Sequence, residues 1–235
     1  MSVNTYTPGS KKPLVIYHAN CADGFSAAWC FWDKYKDKVE YYPGIYQQTP
    51  PDVTGRVVYL VDFSYKSDAI EKMLDIARTI FVIDHHKSAI EDLSALEQRL
   101  EKENADKWSR FDTFFDLEKS GATLAWDFLN RVLPQELRAT RPLLLGHIED
   151  RDLWRFKLPN TREIQANVFS YEYTFENWDR MMNMNQAELM QFTVAGAAIE
   201  RKHFKDIKEL LNVCTRYMDI AGDIVTGKQI GRAHV

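Results

Sequence analysis

Short apolar runs alternate with amphipathic stretches along most of this chain. Leu14-Val15-Ile16-Tyr17, Val39-Glu40-Tyr41-Tyr42, Val57-Val58-Tyr59-Leu60-Val61 and Thr79-Ile80-Phe81-Val82-Ile83 are rich in β-branched and aromatic residues. Each is too short for a helix and reads as a buried strand. Phe111 to Phe115 reads as an edge strand. Between them, Phe25 to Trp32 predicts a helix packed on the sheet. Ile70, Met73, Leu74 and Ala77 recur at helical spacing within 68–77, and 90–105 reads as a charged amphipathic helix. Ser120-Gly121-Ala122-Thr123 opens a further helix reaching about Val132, and Pro142 to Ile148 begins another buried segment. Helices are expected over most of 164–214, the last one long and starting near Gln186. Strands alternating with helices imply right-handed crossovers, hence an α/β fold with a mainly parallel sheet.

Composition narrows the function classes. With 235 residues and 45% hydrophobic content, a sizeable core is expected. The formal net charge of −4 argues against a long duplex nucleic-acid footprint, but not against a short phosphate ester. Three scattered cysteines, Cys21, Cys30 and Cys214, fit a reducing, cytoplasmic setting. No apolar stretch is long enough to span a bilayer, so no membrane partner is expected. Residues 1–12 are polar and expected to fray. Ile230-Gly231-Arg232-Ala233-His234-Val235 can be reverse-translated as ATC GGA AGA GCA CAC GTC, the read of a common sequencing adapter. It is treated as a non-native tail, and His234 is set aside.

The apolar runs deliver chemistry to one edge. His18 and Asp23 follow the first strand, Asp62 the third, and Asp84-His85-His86 the fourth. Asp150 and Asp152 close a later apolar segment, read as a further strand-end site. In open α/β sheets that edge is where ligands bind. Carboxylates gathered in a cleft disfavour one another's ionisation, and a cation resolves the conflict. Mixed Asp and His donors suit Mn2+ first, with Co2+, Fe2+ and Zn2+ as alternatives; Mg2+ prefers oxygen alone. Four or five ligands around two ions ~3.5–4 Å apart would make a centre that activates a shared water for attack on phosphorus.

Asp62 is the expected bridge, because its strand should be central. Asp84 is expected to orient an imidazole, and His86 to hydrogen-bond a phosphoryl group or assist a leaving oxygen. Plainer roles compete. A strand-end aspartate such as Asp62 can simply cap a helix. Asp150 and Asp152 compete for one ligand position, and Arg151 is placed to pair with either. Trp154 and His147 are expected in the core, His203 on the surface, and Cys30 and Cys214 as small buried apolar residues.

Taken together, Tyr17-His18-Ala19-Asn20-Cys21-Ala22-Asp23-Gly24-Phe25-Ser26-Ala27-Ala28, Val61-Asp62-Phe63-Ser64, Val82-Ile83-Asp84-His85-His86 and Asp150-Arg151-Asp152-Leu153-Trp154 resemble the DHH phosphoesterase superfamily. Lys119-Ser120-Gly121-Ala122-Thr123 adds to the likeness, which covers about residues 13–222. The resemblance implies a DHH domain over 13–185 with a five-stranded parallel sheet flanked by helices and a dimetal site, usually Mn2+. It further implies a connecting helix over 186–215 and the start of a truncated DHHA1-like domain over 216–229. Carried over by motif, the metal ligands are His18, Asp23, Asp62, His85 and Asp150, with Asp152 as alternate. Asp84, His85 and His86 form the catalytic set. One departure stands out. Cys21-Ala22 occupies a stretch where many members carry additional aspartates, making Cys21 a candidate thiolate ligand or a small loop-shaping residue.

The expected activity is hydrolysis of a small phosphodiester, a short single-stranded oligonucleotide or a cyclic dinucleotide. Inorganic pyrophosphatase or exopolyphosphatase activity is the alternative within enzymes. A non-catalytic metal- or nucleotide-binding module is the alternative outside them. The sequence does not specify an oligomeric state.

Overall fold

The computed structural model describes residues 11–131, 139–215, 218–220 and 223–225. Residues 1–10, the expected helix end at Val132 and the tail 230–235 lie outside the described residues. Elements follow in the order β1 (Leu14–His18), α1 (Ala22–Tyr35), β2 (Glu40–Gly44), β3 (Val57–Val61), α2 (Ser67–Ile76), β4 (Thr79–Asp84), α3 (Lys87–Glu103), α4 (Ala105–Ser109) and β5 (Phe111–Phe115). Then come α5 (Gly121–Asn130), α6 (Leu143–Asp152), α7 (Thr161–Val168), α8 (Phe175–Met182), α9 (Gln186–Cys214), β6 (Met218–Ile220) and β7 (Asp223–Val225). The fold is α/β. Five parallel strands run in the order β2-β1-β3-β4-β5, flanked by helices, and β6 and β7 form a separate antiparallel pair.

The central strands β1, β3 and β4 are mainly apolar because both faces are covered, whereas the edge strands β2 and β5 carry exposed Glu40 and Asp112. Their two-residue period divides the side chains between two cores. Val15, Tyr59, Val61 and Ile83 pack with α1 and α5, around Phe31, Leu124 and Phe128. Leu14, Ile16, Val58, Leu60, Ile80 and Val82 pack on the other face with Ile70, Leu74, Leu93, Leu96 and Leu100 of α2 and α3. The spacing of Ile70, Met73 and Leu74 is what buries one side of α2.

Two expectations change. The segment after Pro142 is not a strand but α6, so Asp150 and Asp152 arrive on a helix. Helix α1 begins at Ala22, three residues before Phe25, which puts Asp23 in its first turn rather than in a loop. Helix α9, 29 residues long, opens with a capping box formed by Asn185 and Glu188. It buries only Thr193 and Gly196. No helix among the described residues is long and apolar enough to cross a membrane.

Gly196 is the point where α9 meets α7. A Cβ added there would lie 1.8 Å from the Glu163 carbonyl oxygen, so the backbones could not approach as they do. Gly196→Ala is expected to lower stability by ~1–3 kcal/mol, the usual cost of overpacking. Urea unfolding checks this, through a lower midpoint at unchanged slope.

Candidate metal centre

The strand order reverses between β1 and β3, the switch point at whose C-terminal strand ends open α/β sheets bind ligands. His18 is the last residue of β1, Asp62 follows β3, and Asp84 ends β4 with His85 and His86 next in the chain. Asp23 enters from the first turn of α1 and Asp152 from the last turn of α6. Asp62 adopts left-handed backbone geometry, φ 53°, and its amide donates to the Ile83 carbonyl at 2.9 Å. Aspartate tolerates this region better than most residues. A Cβ on Gly121 would sit 2.4 Å from that of Asp62, so glycine is what allows α5 to begin against the end of β3.

The Asp62 carboxylate lies at the middle of a cage. One oxygen, Oδ1, is 3.1 Å from His85 Nε2, and the other, Oδ2, is 3.6 Å from His18 Nδ1. His85 Nε2 is also 3.5 Å from Asp152 Oδ2 and 3.9 Å from Asp23 Oδ2. Three overlapping sets therefore place their donor atoms within 4.8 Å of one another: Asp23, His85 and Asp152; His18, Cys21 and Asp62; and Asp62, Asp84, His85 and His86. These groups could hold a metal ion. Their polar atoms argue that they fit one. His18 Nδ1, Asp23 Oδ2 and Asp62 Oδ2 are buried without a hydrogen-bond partner among the described residues. Each such atom costs ~1–3 kcal/mol, and here several converge on one place.

Electrostatics follow from burial and crowding. Burial, then the charges of Asp152 and Asp62, hold the Asp23 carboxyl well above its ordinary range. Burial and Asp62 push Asp152 up to about 6. Burial also opposes ionisation of Asp62, but contacts from His18 and His85 outweigh it and hold that carboxyl low. The Cys21 thiol is pushed up by burial and by Asp62 and Asp23. For His86, burial disfavours the imidazolium. The 2.7 Å contact between its Nδ1 and Asp84 Oδ1, with the nearby carboxylate charges, prevails and raises it to about 9.

His18, Asp23, Asp62 and His85 come together in the cage. Asp84 Oδ1 accepts from the His85 and His86 amides at 2.7 and 3.3 Å as well as contacting the His86 ring, so it fixes the Asp-His-His turn. Asp62 caps no helix, since α2 starts at Ser67. Asp150 does not join the cage. Its carboxylate accepts from Lys157 N at 2.8 Å, Leu158 N at 3.0 Å and Thr161 Oγ1 at 2.6 Å. Asp152 takes the place expected of it. Two residues on a helix point ~200° apart, so only one of the pair can face the crevice.

Arg151 pairs with neither aspartate among the described ion pairs; its guanidinium lies 4.5 Å from the Phe169 ring centroid. Trp154, expected in the core, is 72% exposed. Cys214, expected buried, is exposed near the end of α9, whereas Cys30 is buried. His147 is buried, 3.0 Å from Thr161 Oγ1, and His203 is exposed.

Sequence reasoning missed the parts played by Ser120 and Tyr46. Ser120 caps α5, whose second residue, Ala122, donates its amide to Asp23 Oδ1 at 3.1 Å. The small pair Ser120-Gly121 was the available signal. Tyr46 sits edge-on to His18 at 5.2 Å, and an isolated tyrosine in a loop carried no signal.

No family model matches the chain. An uncharacterised protein of Acanthamoeba polyphaga mimivirus is 29% identical over 185 residues, covering 72% of this chain. The chain spans 40% of that relative's length. A solved structure of an uncharacterised protein from Helicobacter pylori aligns over 88% of this chain and 73% of its own, with 12% identity and a TM-score of 0.47.

Two outcomes test the cage. Asp152→Asn is expected to weaken divalent-ion binding at least ~10–100-fold with little loss of stability, because it relieves repulsion. Asp150→Asn is expected to cost ~1–3 kcal/mol of stability while leaving affinity close to wild type. Calorimetric metal titration and thermal unfolding separate the two. Affinity should also rise as pH climbs through about 6, because an incoming ion displaces the raised proton of Asp152. Titrations in buffers of different ionisation enthalpy would register that proton release, and its fading at higher pH.

Proposed function

We propose that this chain is a metal-dependent phosphoesterase of the DHH kind, hydrolysing a small phosphodiester such as a short oligonucleotide or cyclic dinucleotide. One observation carries the reading. A central carboxylate, Asp62, turns one oxygen toward His18 and the other toward His85, whose Nε2 also lies near Asp23 and Asp152, and several of these buried donor atoms have no hydrogen-bond partner among the described residues. Asp62 would bridge two divalent ions. His18 would bind one, and Asp23, Asp152 and His85 the other. Bound there, the ions would supply Lewis acidity and an activated water for attack on phosphorus.

The remaining roles belong to the chain's own groups. His86 is only partly buried and is held through Nδ1 by Asp84, which leaves Nε2 to face a ligand. With its pKa raised to about 9, the ring carries positive charge at neutral pH. It can then donate to a phosphoryl oxygen as negative charge builds there. Asp84 keeps that ring both oriented and charged.

A neighbouring cleft favours an organic substrate over pyrophosphate. Tyr17, Ala19, Asn20, Phe25, Tyr171 and Tyr173 line about 530 Å3 of space, and Ala19 and Asn20 belong to the loop that joins His18, at the end of β1, to Cys21. Among the described lining residues Glu172 alone is charged, which repels phosphate and leaves aromatic faces for a base.

Hydrolysis of dinucleotides and cyclic dinucleotides with Mn2+ tests the proposal. Asp62→Asn should reduce turnover to background while the protein stays folded by circular dichroism. Tyr173→Leu should raise KM for a dinucleotide by about tenfold, the loss of one stacked base, and leave KM for a small aliphatic phosphodiester unchanged. No turnover of any phosphorylated substrate with any divalent ion would overturn the reading.

A further inference from the structure

The two sides of Asp62 are chemically unequal. Toward Asp23, Asp152 and His85, the donors are carboxylate oxygens and one imidazole. Toward His18, the third donor is the sulfur of Cys21. The Cys21 Sγ, one His18 ring nitrogen and an Asp62 oxygen all lie within 4.8 Å of one another, and His18 Nδ1 is 3.6 Å from Asp62 Oδ2. Asp62 is 1% exposed, and its Oδ2, like His18 Nδ1, has no other partner. The sulfur therefore completes a set of three converging donors whose other members are buried and unsatisfied.

We propose that Cys21 is a metal ligand and that the cage holds two unlike ions. A thiophilic ion, Zn2+ or Co2+, sits at His18, Cys21 and Asp62, and a harder ion, Mn2+, at Asp23, Asp152, His85 and Asp62. The inference rests on the two-ion reading above and adds to it the identity of each ion. Thiolate selects Zn2+ and its neighbours, whereas carboxylate suits Mn2+. Three protein donors with a position left open is also the pattern of catalytic zinc sites. Cys21 immediately precedes the 14-residue helix α1, whose N-terminal partial positive charge favours a thiolate against the burial and the Asp62 and Asp23 charges that push the thiol up. Among the described residues the other cysteines join no such group. Cys30 is buried with its sulfur 3.8 Å from the Ala122 carbonyl oxygen, and Cys214 is exposed on α9.

Cobalt reports directly on sulfur. Reduced full-length protein titrated with Co2+ should develop a near-ultraviolet thiolate-to-cobalt charge-transfer band that saturates at one equivalent. Zn2+ should remove the band, and Mn2+ at the same concentration should not. The band should vanish in Cys21→Ser and persist in Cys214→Ser. Cys21→Asp should still bind two ions, lack the band, and lose at least about tenfold in its preference for Zn2+ over Mn2+, since even indirect support of a ligand is worth that much. Co2+ bound without the band overturns the inference and spares the two-ion reading. So does a band that survives Cys21→Ser, or an unchanged Zn2+ preference in Cys21→Asp. One equivalent of metal in total, or none, overturns both.

Discussion

Repulsion among three carboxylates is the constraint on which the rest of this structure turns. Asp23, Asp62 and Asp152 are gathered around the His85 ring in a buried crevice. Two like charges ~4 Å apart repel by about 4 kcal/mol at an effective dielectric of 20, several times what one hydrogen bond returns. The fold nevertheless holds them there. A left-handed turn aims Asp62, the first turn of α5 holds Asp23, and the final turn of α6 presents Asp152. The His85 imidazole balances only part of that charge, and protons or cations must balance the remainder.

The same arrangement separates binding from chemistry along a short stretch of chain. In Asp84-His85-His86, the first residue points inward and ties the turn, the second enters the cage, and the third stands at its rim. One strand end thus contributes a brace, a donor to the cage and a charged ring facing outward. The parallel sheet makes this economical, since neighbouring strands deliver His18 and Asp62 to the same edge in register.

Much of this was legible in the sequence because periodicity and position were simple there. Each β-branched run became a strand, and the polar residues ending β1, β3 and β4 met as their positions implied. The region after β5 was harder to read. Leu143-Leu144-Leu145 is as compatible with a buried helix as with a strand, and that ambiguity blurred the choice between Asp150 and Asp152. Trp154 looked like core because it is large and apolar, yet the turn that follows α6 faces it outward. The close approach of Gly121 to Asp62 joins residues far apart in the chain, and no local pattern encodes it.

Asp150 has its own importance outside the cage. Its carboxylate gathers Lys157, Leu158 and Thr161, and its carbonyl accepts from the Arg155 and Phe156 amides. One residue thereby stitches together a loop in which Trp154, Phe156 and Asn160 all take left-handed geometry. The conformational entropy of that loop is lost when the chain folds. A molecule arriving at the exposed indole would meet a preset surface, and its capture would carry little ordering penalty.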